Sequence, residues 1–372
     1  MKELSPLFFN HSPLTTDYSL LTTHYSLTPM KTEILKPTRE NIKRAGNLIR
    51  AGDLVAFPTE TVYGLGADGL NADACKKIFA AKGRPSDNPL ILHFATLSQV
   101  ERAAKILPAA EKLFAAFCPG PLTIILPKTK FVPDAVTGGL STVGVRFPDN
   151  DVARALIKAA DCPIAAPSAN TSGRPSPTTS QAVFADMEGK IKIILDGGAC
   201  QFGVESTIVD VTSDVAEILR PGAVTKEMLE EILGDVKVAP STSSKPRAPG
   251  MKYTHYAPKV PMTLIETTSL DVLEKIFRRE IKKLRAENKS VGVIASHELI
   301  SKLDAEKIIA VPYGSCGDLK VIAANIYESL RSFDNLTADI ILAEGVADIG
   351  LGVAIMNRFR KAATQILLVD DF

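Results

Sequence analysis

The chain has 372 residues, 45% apolar and 23% charged, enough to fill the cores of roughly two or three domains without disulfide staples. Lys and Arg number 43 against 42 Asp and Glu, a net charge of +1. This excludes a uniformly basic nucleic-acid coat and an acidic tail protein, while leaving room for a local basic cleft. No run of 18 apolar residues occurs, so no membrane-spanning helix is expected.

Residues 1–29 differ in texture from the rest of the chain. TTDYSL at Thr15–Leu20 is nearly repeated as TTHYSL at Thr22–Leu27. Ser and Thr abound and no signal-peptide core is present, so a disordered extension is expected, with Met30 as the initiator. Ile42, Ala45, Leu48 and Ile49 then give 41–50 a helical spacing. Leu54–Phe57 reads as a short buried strand ended by Pro58. Asn71–Lys82 reads as a helix with Asn71 as its N-cap. Further strands are expected at 90–94, 122–126, 142–147, 164–166, 191–195 and 206–211, and helices at 98–106, 109–117, 151–160 and 225–233. Together these make an α/β domain over 30–237. Residues 238–261 carry prolines without periodicity, together with Tyr253 and Tyr256, and are expected to form a linker or a functional lid. Beyond it strand (262–265), helix (269–287) and strand (291–295) alternate through to a last strand at 366–369. That order implies a small, mostly parallel, doubly wound Rossmann-like domain over 262–372. Arg278, Arg279, Lys282, Lys283 and Arg285 lie opposite Leu273, Ile276, Phe277 and Leu284 on one helix, and read as its solvated face. The glycines ahead of the last helix, in Ile349–Ala363, read as a tight turn.

The cysteines (Cys75, Cys118, Cys162, Cys200, Cys316) are odd in number and contain no CxxC, which points to a reducing, cytoplasmic compartment. Gly64, Gly66 and Gly69 spell GxGxxG, but TETVY separates them from the strand before, and the next strand ends without an acidic residue. A dinucleotide site is therefore disfavoured. No P-loop, GxSxG or HExxH occurs, and two of the five histidines, His11 and His24, fall in the extension. What remains is a set of cations beside turn residues. Lys82 and Arg84, with Asn88, sit in AKGRPSDNPLILHF. VGVRFP alternates, which turns Arg146 away from Val143, Val145 and Phe147. ESTIVD and LRPG add Ser206, Thr207 and Arg220. APSANTSGRPSPTT, from Ala166 to Thr179, supplies small residues that let a ligand approach backbone amides. Separate cations, each next to Pro or Gly, suit a polyanionic ligand.

In this order PTETVYGLG, AKGRPSDNPL, PGPLT, VGVRFP, APSANTSGRPSPT, ESTIVD, RPG and PGMKYTHYAP resemble the YrdC-like family of threonylcarbamoyl-AMP synthases, in its two-domain form, across 30–372. The resemblance implies a YrdC-like α/β domain with a twisted mixed sheet and a concave basic cleft. It implies that L-threonine, bicarbonate and ATP, with Mg²⁺ on the phosphates, yield threonylcarbamoyl-AMP and pyrophosphate. A partner transferase would then modify an adenosine beside the anticodon of tRNA, and a tRNA contact is part of the expectation. It places Thr61, His93, Arg146, the backbone of Ala166, and Ser206 around threonine. It places Arg84, Asn88, Thr142, Ser168, Ser176, Arg220 and Tyr256 around ATP. Lys82, Arg84, Ser168 and Asn170 match the family's catalytic KxR…SxN signature, and no residue is expected to bind metal directly. The alternatives are an RNA-binding module without catalysis and a related carbamoyl-adenylate-forming enzyme.

Overall fold

The computed structural model describes residues 30–240, 247–249, 255–267, 270–303 and 307–368. The expected disordered extension and Tyr253 lie outside the described residues.

Eleven strands form one mixed sheet: β1 (Glu33–Leu35), β2 (Val55–Phe57), β3 (Gly64–Asp68), β4 (Ile91–His93), β5 (Leu122–Pro127), β6 (Thr142–Arg146), β7 (Ile164–Ala165), β8 (Ile193–Leu195), β9 (Thr207–Asp210), β10 (Ala216–Arg220) and β11 (Val236–Val238). Their spatial order is β1-β8-β2-β3-β7-β4-β6-β5-β9-β10-β11. The helices between them are α1 (Arg39–Arg50), α2 (Ala72–Lys82), α3 (Leu97–Ala103), α4 (Pro108–Phe117), α5 (Asp134–Thr137), α6 (Asp151–Ala160), α7 (Ser180–Met187) and α8 (Lys226–Leu233). Strand alternation feeds two cores. Phe57, Ile193 and Leu195 pack under Ile49 of α1 and Leu156 of α6, while Ala56 and Ile194 face the other way, into the core that holds Ile78 of α2 and Leu113 of α4. Apolar residues on both faces of the central strands explain why they read as continuous hydrophobic runs.

The first two glycines of the triplet belong to a strand, and Gly69 stands just past its end. β3 pairs antiparallel with both β2 and β7. A Cβ on Gly66 would lie 2.7 Å from Ile164 Cγ2 and 2.8 Å from the Phe57 ring, so these glycines let a strand lie against bulky neighbours. The disfavoured dinucleotide turn is thus replaced by a packing requirement.

The second sheet contains β12 (Met262–Glu266), β13 (Val291–Ser296), β14 (Ile309–Gly314), β15 (Ile340–Glu344) and β16 (Gln365–Leu368), in the order β14-β13-β15-β12-β16. Every pairing in it is parallel, as strict strand–helix alternation requires. Its helices are α9 (Leu270–Ala286), α10 (His297–Lys302), α11 (Leu319–Ser332) and α12 (Leu351–Ala362). Leu273, Ile276, Phe277 and Leu284 of α9 face the core, which leaves the basic residues outward. The two sheet units share a hydrophobic cluster. Val62 and Val204 of the first and Tyr256 of the connecting segment pack with Ile322, Ala323 and Tyr327 of α11 and Ala354 and Ile355 of α12. Among the described residues no helix is long and apolar enough to cross a membrane.

Candidate active site

Separate segments converge on one cleft. The first is the end of α2. Asn71 Oδ1 accepts from the Asp73 and Ala74 amides, starting the helix at the expected cap, and Gly83 ends it at a φ of 61°. Lys82 is thereby turned inward. Its ammonium donates to the carbonyls of Ser168 at 2.6 Å and Asn170 at 2.5 Å. Ser168 Oγ donates to Asn170 Oδ1 at 2.5 Å, and Asn170 Nδ2 donates to the carbonyls of Thr171 and Arg174. These three side chains therefore act as one unit. Burial pushes Lys82 well below the ordinary lysine value, and Arg84 pushes it further the same way. An anion entering the cleft would favour its charged form again. Arg84, on the following loop, donates to the Pro89 carbonyl at 3.1 Å and the Asn88 carbonyl at 3.4 Å.

The parallel pair β4 and β6 sets His93 opposite Arg146. Val143 and Val145 of β6 enter the core, and Arg146 points the other way, into the cleft. Its guanidinium donates to Glu60 at 2.8 Å and Thr61 Oγ1 at 2.7 Å. Its Nε is buried and, among the described residues, has no partner, on a side chain only 5% exposed. A buried donor without an acceptor is costly unless a ligand supplies one. His93 Nδ1 lies 3.2 and 3.3 Å from the carbonyls of Ile91 and Ile164. Burial, then the charge of Arg146, holds His93 down at about 3. Burial and Arg84 hold His255 down at about 4. Both imidazoles are neutral at neutral pH.

At the end of β10, Arg220 donates through Nε and a terminal nitrogen to the Ser206 carbonyl at 3.1 and 2.9 Å. Glu205 also lines the cleft. It accepts from Ser176 Oγ at 2.6 Å, from the Tyr327 hydroxyl at 2.8 Å and from Arg358 Nε at 3.0 Å. Burial pushes this carboxyl up, but Arg358, Arg220 and its hydrogen bonds outweigh burial and hold it at about 2. Pro249, His255 and Tyr256 border the cleft from the connecting segment. Tyr256 sits at a φ of 67°, with its ring 5.2 Å from that of Tyr327. Such a backbone is uncommon outside glycine and costs of order 1 kcal/mol or more, so the surroundings must hold it in place.

Among the residues expected at the site, Lys82, Arg84, His93, Arg146, Ala166, Ser168, Asn170, Ser176, Arg220 and Tyr256 line this one cleft. Ala166 commits its amide to the Ile91 carbonyl, so any ligand contact falls to its carbonyl or methyl. The others stand back from the lining. Thr61 is fully buried and accepts from Arg146. Ser206 is fully buried, its hydroxyl 2.8 Å from that of Thr123, and accepts from Arg220 through its carbonyl and its Oγ. Asn88 is buried beneath Arg84, with Oδ1 unpartnered. Thr142, at the first position of β6, borders a neighbouring hollow with Thr137, Leu140 and Arg247. Thr59, Glu205 and His255 line the cleft unanticipated. Glu205 stands immediately before Ser206 in ESTIVD, so the signal was present. The reach of Arg358 and Tyr327 from the second sheet unit had no local signal at all.

Among the described residues the lining carries the cations Lys82, Arg84, Arg146 and Arg220 against one carboxylate, Glu205, already paired. Ser168 and Ser176 are engaged with Asn170 and Glu205. The arrangement suits holding anions in a fixed relation and stabilising charge on them.

A family model described as "Telomere recombination" matches residues 47–222, and one described as "Threonylcarbamoyl-AMP synthase, C-terminal domain" matches residues 224–364. The chain is 48% identical over 328 residues to the threonylcarbamoyl-AMP synthase of Pyrococcus abyssi, covering 87% of this chain and 94% of the relative. It is 45% identical over 340 residues to that of Bacillus subtilis, covering 89% and 95%. The crystal structure of P. abyssi Sua5 complexed with L-threonine matches with a TM-score of 0.85 at 44% identity, over 91% of this chain and 98% of that one.

Proposed function

The chain belongs to the threonylcarbamoyl-AMP synthase family and makes threonylcarbamoyl-AMP; we propose that this cleft is where L-threonine, bicarbonate and ATP are joined, with release of pyrophosphate. The observation that carries this is the convergence of Lys82, Arg84, Arg146 and Arg220 on one small cleft whose single lining carboxylate is already neutralised. The threonine-bound P. abyssi relative supports it.

Threonine's amine attacks the carbon of bicarbonate, a C–O bond breaks and water leaves, giving a carbamate. Its oxygen attacks the α-phosphorus, the bond to the bridging oxygen breaks, and pyrophosphate leaves. The attacking group is already an anion, so no protein nucleophile is needed. The difficulty lies in bringing anions together, and fixed cations meet it. In this reading Arg146, Thr61, His93, the Ala166 backbone and Ser206 form the threonine end. The unpartnered Nε of Arg146 is the donor aimed at the carboxylate. Arg84, Asn88, Thr142, Ser168, Ser176, Arg220 and Tyr256 form the ATP end, and Lys82 with Ser168 and Asn170 supports the reacting phosphate. Asn88, Thr142 and Ser206 stand behind the present lining. Mg²⁺, when bound, offsets phosphate charge. Among the described residues no group of three or more His, Cys, Asp or Glu is arranged to hold a metal.

We further read 30–237 as the catalytic unit, 238–261 as the covering segment and 262–372 as a second unit. The product would pass to a transferase that modifies tRNA, in the cytoplasm, with a tRNA contact near the cleft. The test is pyrophosphate release by the purified chain with ATP, Mg²⁺, bicarbonate and L-threonine, each omitted in turn. Release is expected only when both threonine and bicarbonate are present. Undiminished release without threonine would reject the reading.

A further inference from the structure

We propose that Tyr327 and Arg358, both from the second sheet unit, are positioning residues for the nucleotide end of the cleft: through Glu205 they fix the peptide that aims Arg220, and they keep Glu205 from competing for that arginine. The proposal rests on the reading of Arg220 as a phosphate contact.

Arg358 is fully buried. Besides the Glu205 carboxylate at 3.0 Å, it donates to the Glu205 carbonyl at 3.3 Å and to the Pro221 carbonyl at 2.5 Å. One guanidinium thus ties the residue before Ser206 to the residue after Arg220. Arg220 closes the loop by donating twice to the Ser206 carbonyl. The aim of Arg220 therefore depends on where Arg358 holds both strands. The two units meet closely here. A Cβ on Gly203 would lie 2.2 Å from the Ala323 carbonyl oxygen of α11, at a φ of 70° that already favours glycine.

Electrostatics points the same way. Glu205 and Arg220 are both buried in the same region and attract each other. A buried carboxylate must be paired. With Arg358 and the Tyr327 hydroxyl on it, Glu205 is satisfied from the second unit. Without them the cation acting most strongly on it is Arg220, which would be drawn from the cleft toward the carboxylate. Tyr327 also stacks on Tyr256 of the covering segment, so the same side chain touches both the carboxylate and the cover.

The test uses the full chain carrying Arg358→Gln or Tyr327→Phe, with pyrophosphate release measured while ATP and threonine are titrated separately. Arg358→Gln is expected to raise the KM for ATP roughly tenfold or more, the scale of one charge-assisted hydrogen bond, and to leave that for threonine within about twofold. Tyr327→Phe keeps the ring and the stack, removes one donor, and is expected to raise the ATP KM about threefold, toward the low end for a single hydrogen bond. It decides the matter if Arg358→Gln fails to fold. A merely structural role would lower the active fraction, reducing kcat with both KM values unmoved, and would overturn the proposal. Equal rises in both KM values would overturn it too. Arg220→Gln, run in parallel, keeps the two readings apart. A raised ATP KM there with none in the other variants overturns the positioning role alone. An unmoved ATP KM in Arg220→Gln rejects the phosphate contact and the proposal with it.

Discussion

Arg146→Lys separates geometry from charge at the threonine end. Arg146 is 5% exposed and donates at 2.8 Å to Glu60 and 2.7 Å to Thr61, while its buried Nε lacks an acceptor. Lysine keeps the charge but offers a single nitrogen at the end of a flexible stem. It can stay with Glu60, itself buried, or turn to a ligand carboxylate, but it cannot span both. At least one charge-assisted bond is lost, worth about 1.5–3 kcal/mol. Taking about 2 kcal/mol, and 1.36 kcal/mol per factor of ten, kcat/KM for threonine should fall about 30-fold. The KM for ATP should stay within about twofold, because Arg220 and the Lys82 group are held by other partners. The assay is pyrophosphate release with threonine titrated at saturating ATP, then the reverse. Equal losses in the two titrations would refute the assignment of Arg146 to threonine.

Arg84→Ala should lower ATP-dependent turnover about 100-fold, the usual cost of removing one preorganised donor from a reacting phosphate or oxyanion; near-normal pyrophosphate release would reject its role. His93 is held at about 3 by burial and Arg146. Its imidazole should therefore show no NMR titration between pH 5 and 8, and a midpoint near the ordinary 6.5 would contradict the described burial. Lys361 is lowered to about 8 by burial, with Arg358 and Arg220 adding to it, from an ordinary 10.5. Between those values the folded chain binds fewer protons than the unfolded one, so this group makes stability rise as pH climbs through that window. Lys361→Met should flatten the rise in denaturant-unfolding free energy, and an unchanged slope would contradict it.

Much of the fold could be read from local patterns because local physics decided it. The N-cap at Asn71 and the amphipathic spacing at Asp151–Ala160 each act within a few residues, and both helices stand where expected. The parallel second sheet followed from strict alternation of its elements. β3 was invisible because GLGAD has none of the β-branched or aromatic residues that mark a strand; its neighbours Phe57 and Ile164 explain its glycines. β11 was missed because a three-residue strand at the sheet edge carries little pattern, and β10 beside it was missed as well. The cleft residues were suggested by motif order, yet their grouping is long-range. Lys82 meets Ser168 across 86 positions, and Arg358 meets Glu205 across 153. No sequence period reports such a contact. Thr142 and Ser206 fell to the side because position within a motif does not say which way a side chain leans.

The central claim is that this chain joins threonine and bicarbonate onto the adenylate of ATP. Mass spectrometry of the nucleotide product formed from ¹³C-bicarbonate tests it most directly. The expected product is an AMP adduct that carries threonine and gains one mass unit per molecule from the label. Pyrophosphate released alongside unmodified AMP, with neither threonine nor label attached, would contradict it.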